Sequence, residues 1–249
     1  MTDIIEARAK LTLSLRITGV RDDGFHLIDA VMVTLDLHDT LAFSSHDQTE
    51  LSVDGTYAAG VPTDGGNLVN RALGLVGRTA KVNITKEIPH GGGLGGGSAD
   101  AAAVLAWAGF GDATAASRLG ADIPFCLSGH ARARVRGIGE IVDALPTQPG
   151  TVTLVIPPHS ASTPAVYRAW DDMGAPRNEP SANSTGLNDL EPAALVVVPE
   201  LATWRDRIRE ASGTLPTLAG SGATWFIEGD HGHIADALNG AHVVVTGRG

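Results

Sequence analysis

Residues 88–105 read IPHGGGLGGGSADAAAVL, and six of the seven positions from 91 to 97 are glycine. Inside a regular element each glycine costs roughly 0.5–1 kcal/mol relative to alanine. A run of them just before a helix therefore asks for a chemical reason. A glycine turn that leaves a strand and opens a helix lets backbone N–H groups converge on one point. The helix N-terminus adds partial positive charge there, and the two together suit a phosphate group. The candidate cradle comprises Pro89, Gly91, Gly92, Gly93, Leu94, Gly95, Gly96, Gly97, Ser98 and Ala99. Ser98 is placed either to cap the helix or to offer its hydroxyl to a phosphate-bound Mg2+. Asp100 falls in the first turn, where the helix dipole favours a carboxylate.

Two known glycine patterns bear on this loop. No Gly-Lys-Ser/Thr follows it, so it is not a Walker A loop. Gly91-x-Gly93-x-x-Gly96 matches the dinucleotide fingerprint formally, yet no alternating βαβ series surrounds it. Asp122 lies near the distance at which that fingerprint needs an acid, but in LGADIPF, ahead of a proline rather than at a strand end.

The elements that must hold the loop are legible in outline. KLTLSLRI (10–17) alternates apolar and polar residues and reads as a half-buried strand. LIDAVMVTLDLHDTLAF reads as one or two more, LSVDG and AKVNITKEI as others. NLVNRALGLVGR carries its apolar residues at helical spacing, and SADAAAVLAWAG is a second helix, with Ser98 as its expected N-cap. Two prolines and a glycine in LPTQPG (145–150) mark a boundary, giving units 1–147 and 148–249. Beyond it, TVTLVIPP is a buried strand and STPAVYRAW a short helix with Pro164 in its first turn. DDMGAPRNEPSANSTG is a loop and PELATWRDRIREA a helix. LPTLAGSGATWFIEG reads as strand, glycine turn, strand; HIADALNG is a helix and HVVVTG a last strand. Strands cluster early and elements then mix, which is α+β organisation.

Composition narrows the classes of partner. The 249 residues carry 18 basic and 28 acidic side chains, a formal charge of −10. Nucleic acid is excluded as an expected partner, since phosphate backbones need basic tracts. Arg132, Arg134 and Arg136 share one strand face, either solvated or lining an anionic groove. The single cysteine, Cys126, sits in the apolar run IPFCL and reads as a buried structural thiol in a reducing compartment. MTDIIEARAK lacks a signal-peptide core, and no run approaches the ~20 apolar residues of a membrane span. A cytoplasmic protein without a membrane partner is expected.

Three separated segments also resemble the motifs of the GHMP kinases: AKLTLSLRITGVRDDGFH, IPHGGGLGGGSADAA and LAGSGATWF. NLVNRAL, LGADIPF, RGIGE, STPAVYRAW and NDLE, in that order, are similar to one family among them, which phosphorylates 4-diphosphocytidyl-2-C-methyl-D-erythritol. The resemblance covers nearly the whole chain. It implies a two-domain fold, with an N-terminal domain like ribosomal protein S5 domain 2, a ferredoxin-like C-terminal domain and the active site between them. It implies that Mg-ATP phosphorylates the acceptor's 2-hydroxyl in the non-mevalonate route to isoprenoids. By the same matching, Lys10 and Asp122 are the catalytic pair, and the glycine loop binds ATP. Phe25, His26, Thr163 and Tyr167 hold the cytidine end, and Gly220, Ser221 and Gly222 close over the phosphate loop. An ionised carboxylate at 122 could accept the hydroxyl proton, and a cation at 10 would favour a developing alkoxide.

The chain departs from that family at three places. Thr12 stands where asparagine is usual against the acceptor, Phe25 where tyrosine is common, and the stretch from Asp100 to Asp122 is short. A kinase with another small-molecule acceptor, or a GHMP-fold protein that binds nucleotide without catalysis, are the alternative readings.

Overall fold

The computed structural model describes residues 2–249. Its frame is two long antiparallel strands, β1 (Thr2–Val20) and β2 (His26–Ser44), joined by a short turn at Gly24. β1 runs well beyond the alternating stretch 10–17. Ile4 and Ile5 break the period-two pattern, and most of residues 2–6 stay exposed, so polarity alone does not mark that end as strand. On its other edge β2 pairs with β4 (Lys81–Thr85) through residues 40–44 and with β5 (Arg132–Gly137) through residues 28–33. β3 (Glu50–Asp54) lies parallel to β4, and β6 (Ile141–Ala144) antiparallel to β5.

Helix α1 (Leu68–Leu75) begins at Asn67, whose side chain accepts from the Val69 N–H. Helix α2 (Gly96–Trp107) is buried along residues 99–105. Its buried surface is mostly alanine, valine and leucine, with Asp100 the one charged exception. Two short helices fit into the abbreviated stretch that follows, α3 (Ala113–Leu119) and α4 (Ile123–Ser128).

The C-terminal residues extend the sheet. β7 (Gly150–Ile156) pairs with β9 (Trp225–Glu228) on one side and with β10 (His242–Arg248) on the other. β9 also carries the two-residue β8 (Thr217–Leu218). β10 reaches the first sheet through a single pair, Arg248 with Leu35. Helices α5 (Thr163–Asp172), α6 (Glu191–Val197) and α7 (Glu200–Ser212) pack in sequence. The expected helix at HIADALNG is a 3-10 turn, Gly232–Ala237. No element was expected over 191–197; its β-branched tail hides a helix that starts at Glu191, with Pro192 in its first turn.

The arginines of β5 are engaged. Arg134 donates to both oxygens of Asp29, Arg136 to Asp143 and Arg132 to the Pro146 carbonyl. That is a solvated strand face rather than an anionic groove.

Candidate active site

Lys10 and Thr12 sit on one face of β1, between two irregularities in its pairing with β2, one between Arg8 and Lys10 and one between Thr12 and Ser14. Such bulges re-aim side chains beside functional sites. Lys10 is only 5% exposed. Its Nζ lies 3.0 Å from Asp122 Oδ2 and donates to Thr12 Oγ1 at 3.2 Å. Asp122 immediately precedes α4 but makes no capping bond with its side chain. The carboxylate turns to the lysine instead. The preceding turn is supported from RGIGE: Gly139, with φ +112°, lies directly against the Ala121 carbonyl, where a side chain has no room. Thr12 contributes a hydroxyl to this group.

The glycine loop passes next to the pair. The Lys10 N–H donates to the Leu94 carbonyl at 3.0 Å, which joins loop and strand. Gly91, Gly93 and Gly95 have positive φ. A Cβ on Gly93 would stand 2.6 Å from the Ala219 carbonyl oxygen, and one on Gly95 would stand 2.7 Å from Lys10 Cγ. The turn at 219–222 thus lies on the loop, and Gly222 meets Gly93 through its carbonyl. The N-cap of α2 is Gly95, in the left-handed region, and no side chain caps this helix. That corrects the expected capping by Ser98: the helix starts earlier, inside the glycines, because positive-φ glycine ends the turn sooner than a serine could. Ser98 lines a cavity of about 240 Å3 with Lys10, Thr12, Gly93, Asp122 and Ser221.

Beneath the loop lies a buried cluster that sequence reasoning missed. Lys86 donates to both Asp39 and Asp100, and Asp39 accepts from the Glu87 and Ile88 N–H groups. Burial alone would lower the Lys86 ammonium, but the two carboxylates outweigh it and raise it above its ordinary value. Burial pushes the Asp100 carboxyl up to about 7, against the pull of Lys86. The scarcity of lysine was a weak signal for Lys86; nothing in the sequence paired it with Asp39.

A second cavity, of about 550 Å3, adjoins the first and shares Ile28, Ala121, Thr163 and Tyr167 with it. Phe25 and His26 line its far side. The His26 ring lies 4.7 Å from that of Tyr167, and its Nε2 is 2.8 Å from Asp171 Oδ1. Phe25 is 56% exposed, so its ring is available for stacking. Burial, and secondarily the charge of Asp122, push the Tyr167 hydroxyl above its ordinary value. Thr163 Oγ1 and Ser221 Oγ are 2.8 Å apart, which joins α5 to the 219–222 turn. Of the expected loop residues only Gly93 and Ser98 line the smaller cavity, and the rest of the glycine loop lines neither; Gly222 also lines neither and meets Gly93 from behind.

This geometry can hold a phosphate on backbone N–H groups, place an acceptor hydroxyl beside a Lys–Asp pair and hold a flat aromatic ligand at the far end. The family model described as GHMP kinases N terminal domain matches residues 67–130. A 4-diphosphocytidyl-2-C-methyl-D-erythritol kinase of Paracoccus denitrificans is 40% identical over 235 residues, covering 88% of this chain and 84% of that protein. One of Cereibacter sphaeroides is 37% identical over 262 residues, covering 95% and 94%. A crystal structure of 4-(cytidine 5'-diphospho)-2C-methyl-D-erythritol kinase matches 99% of this chain and 100% of that one, with a TM-score of 0.75 at 29% identity. A homoserine kinase from Cytophaga hutchinsonii shares the fold alone, with a TM-score of 0.56 at 16% identity. The chain belongs to the 4-diphosphocytidyl-2-C-methyl-D-erythritol kinases, a phosphotransferase family with the GHMP kinase fold.

Proposed function

We propose that the chain transfers the γ-phosphoryl group of ATP to the 2-hydroxyl of 4-diphosphocytidyl-2-C-methyl-D-erythritol, with Asp122 as the proton acceptor. The observation that carries this is the 3.0 Å contact of Lys10 with Asp122 at the edge of the glycine loop, in a cavity that opens toward His26 and Tyr167. Pro89 and the loop from Gly91 to Ala99 bind the triphosphate, with backbone N–H groups at the start of α2 facing its oxygens. As the hydroxyl oxygen attacks the γ-phosphorus, Asp122 takes its proton and the bond to the β,γ-bridging oxygen breaks, releasing ADP. Lys10 offsets charge on the attacking oxygen and holds Asp122 in place. Positioning and electrostatics carry most of such a transfer. Phe25, His26, Tyr167 and Thr163 hold the cytidine end, and Gly220 and Ser221 border the transferred group.

Mg2+ fits this site as an ion carried chiefly by the phosphates. Among the described residues no cluster of three His, Cys, Asp or Glu side chains could hold a metal, and Ser98 offers one hydroxyl oxygen. When bound, such an ion would offset phosphate charge, with Ser98 the residue that would contribute a hydroxyl oxygen to it. The division into units 1–147 and 148–249 belongs to the same reading. It is supported by a change of sheet partners after LPTQPG, with the cleft between. A cytoplasmic setting, where ATP is available, agrees with the free thiol of Cys126. Among the described residues no helix is long and apolar enough to cross a membrane.

The test is ADP release by the purified protein with Mg-ATP, with and without 4-diphosphocytidyl-2-C-methyl-D-erythritol. Release that requires the acceptor is expected. ATP binding without acceptor-dependent release would overturn this acceptor and point to Thr12 as the place where specificity has changed.

A further inference from the structure

The motif NDLE has no part in the mechanism above, yet its first two residues are among the most enclosed polar side chains of the molecule. Asn188 is 1% exposed and Asp189 fully buried. Their backbone lies against the free edge of β1. The Leu15 N–H donates to the Leu187 carbonyl at 2.8 Å, and the Asp189 N–H donates to the Leu15 carbonyl at 2.9 Å, one parallel bridge centred on Asn188. From there the Asn188 amide spans to the glycine turn. Its Nδ2 donates to the Leu218 carbonyl at 2.9 Å and to the Gly220 carbonyl at 2.6 Å, while its Oδ1 accepts from the Leu190 N–H at 3.0 Å. Both amide hydrogens are used, and only a primary amide of this length supplies two donors and one acceptor here.

Gly220 is the residue through which this reaches the chemistry. A Cβ built on it stands 3.8 Å from Thr12 Oγ1 and 4.0 Å from Lys10 Nζ. The wall of the transfer cavity opposite the catalytic lysine is therefore held by Asn188. Asp189 fixes the register of the same segment. It accepts from Arg16 Nη1 at 2.6 Å, the Ile17 N–H at 3.0 Å and the Asn178 N–H at 3.1 Å. Arg16 also donates to the Asn178 carbonyl at 2.9 Å, so the polar loop after α5 is tied to the strand that carries Lys10.

We infer that Asn188 is a positioning residue for phosphoryl transfer: it holds the Gly220–Ser221 turn against Lys10 and Thr12, with Asp189 locking it to β1. It touches no substrate. The inference rests on the function proposed above, since the position of Gly220 matters only if transfer occurs beside Lys10. A displacement of about 1 Å in such a wall costs on the order of 10²-fold in rate.

The test compares the unmodified protein with Asn188→Asp and Asn188→Ala. Aspartate keeps the acceptor for Leu190 but sets an oxygen against two carbonyls; alanine removes the donors without repulsion. Three quantities are read in each: kcat with ATP and acceptor, the Kd of CDP by calorimetry, and the thermal melt. CDP serves as a probe of the cytidine end, where Phe25 and His26 line the larger cavity. The expected order of kcat is unmodified, then alanine, then aspartate, with a loss of about tenfold or more for aspartate. CDP affinity should stay within about threefold of the unmodified protein, and the melts should stay cooperative. Equal kcat in all three, or a loss of kcat matched by an equal loss of CDP affinity, would overturn the positioning role. Failure of both variants to fold would also overturn it and leave Asn188 a residue of the fold alone. Failure of the functional reading itself would show separately, as absent turnover or absent CDP binding in the unmodified protein.

Discussion

Lys10 Nζ and Asp122 Oδ2 lie 3.0 Å apart although one residue belongs to the first strand and the other to the turn before α4. Asp122 is free of the capping duty that its place ahead of a helix would suggest. Replacing it with asparagine keeps the shape and removes the base. We expect Asp122→Asn to lower kcat by roughly 10²–10⁴-fold, with the Kd values of ATP and CDP little changed. Single-turnover kinetics beside calorimetry would check this. A variant that keeps its kcat would remove Asp122 from the chemistry.

The loop glycines differ in what they protect. Gly95 has φ +71°, and a Cβ there collides with the Lys10 side chain. Gly97 meets only Leu68 Cδ1, at 3.7 Å. Gly95→Val should abolish ATP use while circular dichroism stays native, whereas Gly97→Ala should retain most activity. ATP kinetics close to those of the unmodified protein in both variants would show that the loop tolerates side chains wherever they are placed.

How much of this was readable beforehand depended on whether a feature is local. The glycine run, the strand around Lys10, the helix bearing Tyr167 and the final strand each have a pattern within a few residues, and each appears where its pattern lies. The Lys86 cluster joins residues 47 and 14 positions apart in sequence, and Asn188 reaches Gly220 across 32. No periodicity marks such pairs, because only the closed fold brings them together. Ser98 shows the opposite limit. Its residue type favours a cap, but a left-handed Gly95 starts the helix earlier, so intrinsic preference loses to backbone geometry.

Asp39 gives a third prediction, through the ammonium it shares with Asp100. Asparagine at 39 can still accept from the Glu87 and Ile88 N–H groups through Oδ1, but its Nδ2 then faces Lys86 Nζ, so the change removes both the charge and the acceptor that Lys86 uses. Removing one partner from a buried ion pair costs about 3–5 kcal/mol; with Asp100 still in contact, the lower end is expected. Urea denaturation of Asp39→Asn should show a loss of on the order of 3 kcal/mol. The ATP KM should rise as well, because Lys86 Nζ lies 3.2 Å from the Cβ position of Gly96. Unchanged stability would mean that Lys86 is satisfied by Asp100 alone.

Glu191 leads to a prediction about pH. Burial raises its carboxyl to about 7 from an ordinary 4.5, against smaller opposing effects from Arg205, Ser184 and Asn178. In the folded protein it keeps its proton up to about pH 7, whereas in the unfolded chain it loses it near 4.5. Between those values the folded state binds more protons, so this residue's contribution to stability falls as pH rises and levels off above 7. Glu191→Gln removes the titration and keeps an acceptor toward Asn178 and Ser184. Relative to the unmodified protein, the variant should therefore gain stability as pH is raised from 4.5 to 7, and then keep a constant advantage. Thermal melts of the two proteins across pH 5 to 8 read this difference directly. A gap that does not change with pH would mean that Glu191 is already ionised in the folded state, held by Arg205 more strongly than burial opposes it.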